Sequence, residues 1–399
     1  MSEKAIDSVR KGGAVLTEKL YDIDAYLSVF TAKVLSCAPS AEGYDVILDR
    51  TAFFPEGGGQ YGDTGTLNEV SVLDTQIRED VIYHRTDAPL TVGSTVTGRL
   101  NFEERFRRMQ NHSGEHIVSG IVHGMLGYEN VGFHLGDSFM TMDYSGVLSP
   151  ADLSAVEKAA NRAVWDNREI LCRYPAREEL ASINYRSKKE LMGDVRIVTV
   201  EGIDVCACCA PHVKRTGEIG AIVITDAIRW KGGTRLTVRC GSDALKEYET
   251  LRADERALSA LFSAPRGENS SAAEKLQKDM ADLRRAYSVA LKENGLMRLS
   301  MLPDGAGNLV FLLPDADGDV MRTAANEGIK KCTGVFVCLA GDGVQGYKYV
   351  ISARGNLRAK AKEINAALGG RGGGSETMIQ GSFAASEEEI RDYFKEFRI

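Results

Sequence analysis

The chain has 399 residues, 43% hydrophobic and 26% charged, with a formal net charge of -7. That length exceeds one ordinary core and that balance excludes a fibrous or wholly disordered chain, so two or three globular domains are expected. No apolar run approaches the roughly 18 residues that span a bilayer, MSEKAIDSVRKGGAVLTEKLYD lacks a signal-like core, and five of the eight cysteines are scattered; the expected setting is the reducing cytoplasm, with no membrane partner.

From about Tyr26 to Leu100, runs such as YDVILD and VIYHRT are broken by Gly, Asp and Pro, which predicts a small β-rich, barrel-like module over residues 1–100. Its PEGGGQYGDTG segment implies positive φ or close approach of backbone, and it lacks the GxxxxGK[ST] form of a phosphate loop. A helix follows from Asn101 to about Tyr128, with Phe102, Phe106, Met109, Ile117, Ile121 and Met125 facing inward, and another from Ser149 to Asn167 behind a Ser-Pro start. With strands at RIVTV, AIVIT and TRLTVRC, residues 101–242 form an α/β domain. The a/d spacing of Leu245, Tyr248, Leu251, Leu258 and Leu261, then of Leu276, Met280, Leu283, Tyr287 and Leu291, predicts an antiparallel helical hairpin over 243–295. Strands LVFLL, GVFVCLA and YKYVISA alternate with helical patterns in a C-terminal α/β domain, 296–399, so the fold class is α+β. The basic clusters RFRR (Arg105, Arg107, Arg108), RSKK (Arg186, Lys188, Lys189) and VKR (Lys214, Arg215) each read as solvated surface.

Two short stretches carry chemistry. In NHSGEH, His112 and His116 stand four apart, so one helix face presents both imidazoles. In DVCACCAPHV, Cys208 and His212 form a CxxxH. Nitrogen and thiolate donors together suit zinc and select against magnesium or calcium. Two other readings stand beside this one: Cys206 and Cys209 as a redox CxxC, and HSGEH as the HxxEH of an inverted zinc protease with Glu115 as general base.

DRTAFFPEGGGQYGDTG, NHSGEH and CCAPHVKRTGEIG, in this order, resemble the editing region of alanyl-tRNA synthetases and the free-standing alanyl-tRNA editing proteins called AlaX. GGRGGGSETMIQGS, behind LRAKAKEINAALGG, resembles the end of the DHH-associated domain of those synthetases and of long-form AlaX proteins, without a DHH triplet. The resemblance implies one zinc per chain on His112, His116, Cys208 and His212, with Gln60 and Thr51 facing the aminoacyl group. It implies hydrolysis, in trans, of mischarged tRNA(Ala), chiefly Ser-tRNA(Ala) with Gly-tRNA(Ala) as a second candidate. Arg354, Arg358, Lys360, Lys362 and Arg371 are the expected tRNA contacts, and the hairpin with the C-terminal domain the expected homodimer surface. A tRNA-binding protein with structural zinc is the alternative. CCAP stands where the family has CGGT, which places Cys209 beside the expected ligand as a rival sulfur.

Overall fold

The computed structural model describes residues 17–187, 195–342 and 344–399; the start of the expected first module, and Lys188 and Lys189, lie outside them. The chain divides between Asp254 and Glu255 into two compact units.

The first unit opens with β1 (Val29–Ser40), β2 (Gly43–Leu48), β3 (Gly65–Leu67), β4 (Val70–Arg78), β5 (Val81–Thr86) and β6 (Thr95–Leu100). These close into a barrel in the order β1-β2-β5-β4-β3-β6, every neighbour antiparallel. Strict alternation drives the closure: in β1, Phe30, Ala32 and Val34 are buried while Val29, Thr31 and Lys33 are exposed. Phe53, Val46, Leu48, Leu67, Val72 and Val96 complete that core.

Helix α1 (Phe102–Leu126) starts where the Asn101 side chain accepts the Glu104 N–H, and ends at Gly127, whose φ of 70° is left-handed. Next come β7 (Asn130–Leu135), β8 (Met140–Tyr144) and α2 (Pro150–Trp165), the last begun by a Ser149/Asp152 capping box. Then follow β9 (Ile170–Arg173), β10 (Ile197–Val200), β11 (Asp204–Ala207), β12 (Ile222–Trp230) and β13 (Gly233–Cys240). One sheet runs β12-β13-β8-β7 and a second β9-β10-β11. Met109, Ile117, Val118 and Val122 of α1 share one core with Met140, Met142, Val198, Leu236 and Val238.

Helix α1 is therefore buried around most of its middle, whereas a one-sided apolar stripe was expected; Met125, placed inward by its spacing, is 52% exposed. Two glycines permit this burial. A Cβ on Gly114 would lie 2.3 Å from the Cys240 sulfur, and one on Gly120 2.5 Å from the Ile203 carbonyl oxygen. RFRR is a further correction, because Arg105, Arg107 and Arg108 are buried. Their charges are met inside the fold: Arg105 by Asp63, Arg107 by Glu104 and Asp243, and Arg108 by Glu104. Paired in this way, guanidinium groups survive desolvation that no lone cation would.

Helix α3 (Ser242–Phe262) crosses the boundary between the units, and α4 (Asn269–Ser300) follows a turn. Arg266 Nε donates to Glu255 at 2.8 Å across that turn. Leu258, Leu261, Leu276, Met280, Leu283 and Tyr287 are nonetheless exposed. The a/d spacing thus yields two helices and a turn, without an apolar seam buried in the second unit.

The second unit continues with β14 (Leu309–Leu312), α5 (Gly318–Gly328), β15 (Val335–Asp342), β16 (Gly346–Ala353), α6 (Leu357–Ala367), β17 (Arg371–Gly374), β18 (Met378–Phe383) and α7 (Glu387–Glu396). Its sheet runs β14-β15-β16-β18-β17, with only the β14/β15 pair parallel. Central β15 is covered on both faces. Val335, Val337 and Leu339 enter one core and Phe336, Cys338 and Ala340 another, which explains its unbroken apolar run. In GGRGGGS, a Cβ on Gly372 would lie 2.3 Å from the Gln380 carbonyl oxygen, so this glycine serves close pairing of β17 with β18.

Candidate metal centre

Helix periodicity places His112 and His116 on one side of α1, and burial of the helix carries both inside, at 2% and 1% exposure. The partners arrive on the loop after β11. The Arg196 guanidinium holds that loop by donating to the Cys208 carbonyl at 3.0 Å and the Ala210 carbonyl at 2.8 Å. The Val213 N–H donates to Ser113 Oγ at 3.2 Å, fastening the loop to α1. From the barrel side the glycine-rich turn closes over the helix. Asp63 accepts from the Phe54 N–H and from Arg105, while Arg108 donates to the Gly62 carbonyl. Gly58 thus rests beside the His112 ring and the Cys209 sulfur.

Donor atoms of His112, His116, Cys208 and His212 all lie within 4.8 Å of one another. The Cys208 sulfur is 3.4 Å from His112 Nε2; ligands about 2.0 to 2.3 Å from zinc occupy tetrahedral corners roughly 3.3 to 3.7 Å apart. Each Nδ1 is already engaged outside the cluster. His112 Nδ1 lies 3.1 Å from Gln60 Oε1, His212 Nδ1 3.2 Å from Ser113 Oγ, and His116 Nδ1 2.8 Å from Asp204 Oδ2. Nδ1–H tautomers at all three would leave three Nε2 lone pairs facing inward, and Nε2 of His116 and His212 is buried with no hydrogen-bond partner among the described residues, Glu115 Oε2 lying 3.8 Å from that of His116. Three imidazole nitrogens and a sulfur, two of the nitrogens orphaned, fit a zinc ion.

Electrostatics separates the three sulfurs. Burial opposes ionisation of Cys208, but the His112 imidazole, 3.4 Å from the sulfur, and the neighbouring His116 and His212 rings outweigh it and bring the thiol well below its ordinary range. Cys209 is exposed, yet desolvation of its sulfur among neighbouring atoms pushes it up to about 11, and burial also raises Cys206. Cys206 groups with His116 and Asp204. There, however, both Asp204 oxygens accept from Arg186 at 2.8 Å, so a guanidinium fork occupies the carboxylate a second ion would need. Burial carries His212 down to about 3, so this ring is neutral, as a ligand must be, whereas at His116 Glu115 and Asp204 outweigh burial and draw the imidazole well above its ordinary range, so that zinc there would displace a proton.

Gln60 is buried beside His112, and its amide NH2 has no partner among the described residues. Thr51 is also fully buried, but its hydroxyl is engaged within the barrel module. It lies 2.8 Å from His84 Nε2 and accepts the Phe53 N–H at 3.1 Å. His84 Nδ1 faces the Val46 carbonyl at 3.1 Å, so Nδ1–H donates there and the Thr51 proton goes to Nε2. Glu115 is held through Oε1 by Ser119 and Asn130. In the second unit Arg354, Arg358, Lys362 and Arg371 are exposed, whereas Lys360 is half-buried and paired with Glu363. Sequence reasoning missed Ser113, Asp204, Arg186 and Arg196. The first two lie inside the motifs themselves, so position was visible and contact was not.

The family described as the threonyl and alanyl tRNA synthetase second additional domain matches residues 195–241, the stretch holding Cys208 and His212. The class II (A) tRNA synthetase family matches residues 19–104. Alanyl-tRNA editing protein Aarsd1 of Mus musculus is 27% identical over 380 residues, covering 90% of this chain and 92% of its own. The chain is similar to the alanyl-tRNA editing proteins. Alanine–tRNA ligase of Halobacterium salinarum is 32% identical over 374 residues, covering 87% of this chain but 40% of the ligase. Among solved structures, the C-Ala domain of Aquifex aeolicus alanyl-tRNA synthetase is 20% identical over 24% of this chain and 92% of that one, with a TM-score of 0.19, too low to carry argument. Similarity to the editing proteins thus spans both units, whereas the two family matches lie within the first.

Proposed function

We propose that this chain is an aminoacyl-tRNA deacylase that hydrolyses the ester of mischarged tRNA(Ala), chiefly Ser-tRNA(Ala), with one zinc on His112, His116, Cys208 and His212. The observation that supports it most is the convergence of three Nε2 atoms and a sulfur whose imidazoles are all fixed from behind. An ion held by these four residues would supply Lewis-acid polarisation at the ester. Cys208 is the one cluster member that is partly exposed, so substrate reaches the site past Cys208 and the Gly57–Gln60 turn. Gln60 accepts from His112 with its carbonyl and directs its unpartnered NH2 to the ester oxygen, where negative charge develops. Thr51 donates its hydroxyl hydrogen to His84 Nε2, so toward a seryl hydroxyl it acts as acceptor. A pocket that meets that hydroxyl rejects alanine, because the missing bond leaves a buried polar group unpaired. On the second unit, the exposed Arg354, Arg358, Lys362 and Arg371 supply non-specific contact with RNA phosphates.

The test is a deacylation panel of Ser-, Gly- and Ala-tRNA(Ala). Ser-tRNA(Ala) should be cleaved fastest and Ala-tRNA(Ala) little faster than in buffer, with Gln60→Ala slowing the reaction at least about 10-fold. Equal rates for all three would remove editing as the function, and peptide cleavage dependent on Glu115 would install the protease reading instead.

A further inference from the structure

Three imidazoles face the cluster, but they are not held alike. His112 rests on the neutral carbonyl of Gln60 and His212 on the neutral hydroxyl of Ser113, whereas His116 rests on a carboxylate, Asp204. That carboxylate is itself fixed. Asp204 opens β11, whose one edge pairs with β10; Arg186 docks on its other side, donating its N–H to the Val205 carbonyl at 2.8 Å and accepting the Ala207 N–H at 2.9 Å. From this position the Arg186 fork reaches both Asp204 oxygens, Nε to Oδ1 and Nη2 to Oδ2, each at 2.8 Å. Asp204 is 5% exposed, so the carboxylate would be an uncompensated buried charge without that fork.

We propose that Arg186 and Asp204 are positioning residues that set how tightly the cluster holds zinc, acting through His116. A charged acceptor on Nδ1–H fixes the ring plane and tautomer and strengthens Nε2 as a donor; partners of this kind are worth about 10- to 100-fold in metal affinity. The pair has a second effect. By occupying both Asp204 oxygens, Arg186 keeps the carboxylate from joining Cys206 and His116 around a competing ion. The proposal rests on the metal reading of the site, but not on the identity of the substrate.

The experiment is competition for zinc between a chromogenic chelator and the full chain, which reads affinity without any tRNA. Asp204→Ala should weaken zinc binding by about 10- to 100-fold, with Asp204→Asn between it and the native chain. Arg186→Lys, which keeps the charge and loses the fork, should weaken it at least about threefold. In nitrogen-resolved NMR of the zinc-loaded native chain, His116 should carry its proton on Nδ1 and hold it against exchange longer than in Asp204→Asn. A pair that only braces the fold would lower the unfolding midpoint while zinc affinity of the folded variant stayed within twofold of native, and that result overturns the proposal. Should Asp204→Ala fail to fold, Arg186→Lys decides alone, and affinity within twofold of native overturns it equally. A native chain that binds zinc, loses it in these variants and deacylates nothing would sink the proposed function while leaving this inference standing.

Discussion

His84 lies wholly buried in β5, and burial brings its imidazole down to about 4 against the pull of the Val46 carbonyl. An unfolded imidazole titrates near 6.5. As pH falls below that value the unfolded chain takes up a proton that the native chain refuses until about 4, so stability is full above pH 6.5 and is lost on the way down. The loss amounts to about 2 kcal/mol by pH 5. Urea unfolding at pH 7.5 and 5.0 should therefore show the native chain losing about 2 kcal/mol more than His84→Gln; equal losses would mean that His84 is not the buried neutral group described. Among the cysteines, Cys208→Ser should strip zinc while Cys206→Ser and Cys209→Ser retain it, read by metal analysis of the purified chains; equal zinc in all three would contradict the assignment. The four clustered residues were legible because a four-residue step on a helix and a CxxxH loop leave local signatures. The tie between Thr51 and His84 spans 33 residues and depends on barrel register, which no local pattern records. Asp204 and Arg186 were hidden for the same reason, since strand alternation and pairing decide which side chain meets His116.

Helix α1 carries the centre because it can approach two sheets at once. Gly114 lies against Cys240 and Gly120 against the Ile203 carbonyl, each too close for a Cβ. Gly114→Ala should therefore cost about 1 to 3 kcal/mol through overpacking. Gly124, on the same helix with nothing within 4 Å of a Cβ, should become about 1 kcal/mol more stable as alanine. Denaturant titration of the two variants checks this, and losses of similar size would dissolve the distinction. The existence of the helices, and of the strands at RIVTV, TRLTVRC and YKYVISA, was written in periodicity. Burial around α1 was not, because Arg105, Arg107 and Arg108 read as surface until their carboxylates are in place. The a/d series of α3 and α4 marked an apolar face that stays largely exposed: apolar spacing marks a face, and it does not name what covers it.

Each unit encloses its own apolar interior, the first built on α1 and the barrel, the second on both faces of β15. The four proposed zinc ligands all fall in the first unit. Calorimetry of the full chain should then resolve two transitions, only one of which moves down when zinc is chelated; a single transition that shifts whole would show the two cores to be one cooperative body. The similarity to editing proteins runs across both units, while the candidate metal cluster lies in the first. Under the proposed function, the cluster on α1 and the β11 loop, loaded with zinc, performs the hydrolysis. The most direct measurement is the single-turnover rate of Ser-tRNA(Ala) deacylation by the native chain before chelation, after it, and after return of one equivalent of zinc. The rate should fall to that of buffer and recover fully. A zinc-free, folded chain that cleaves at the native rate would contradict it.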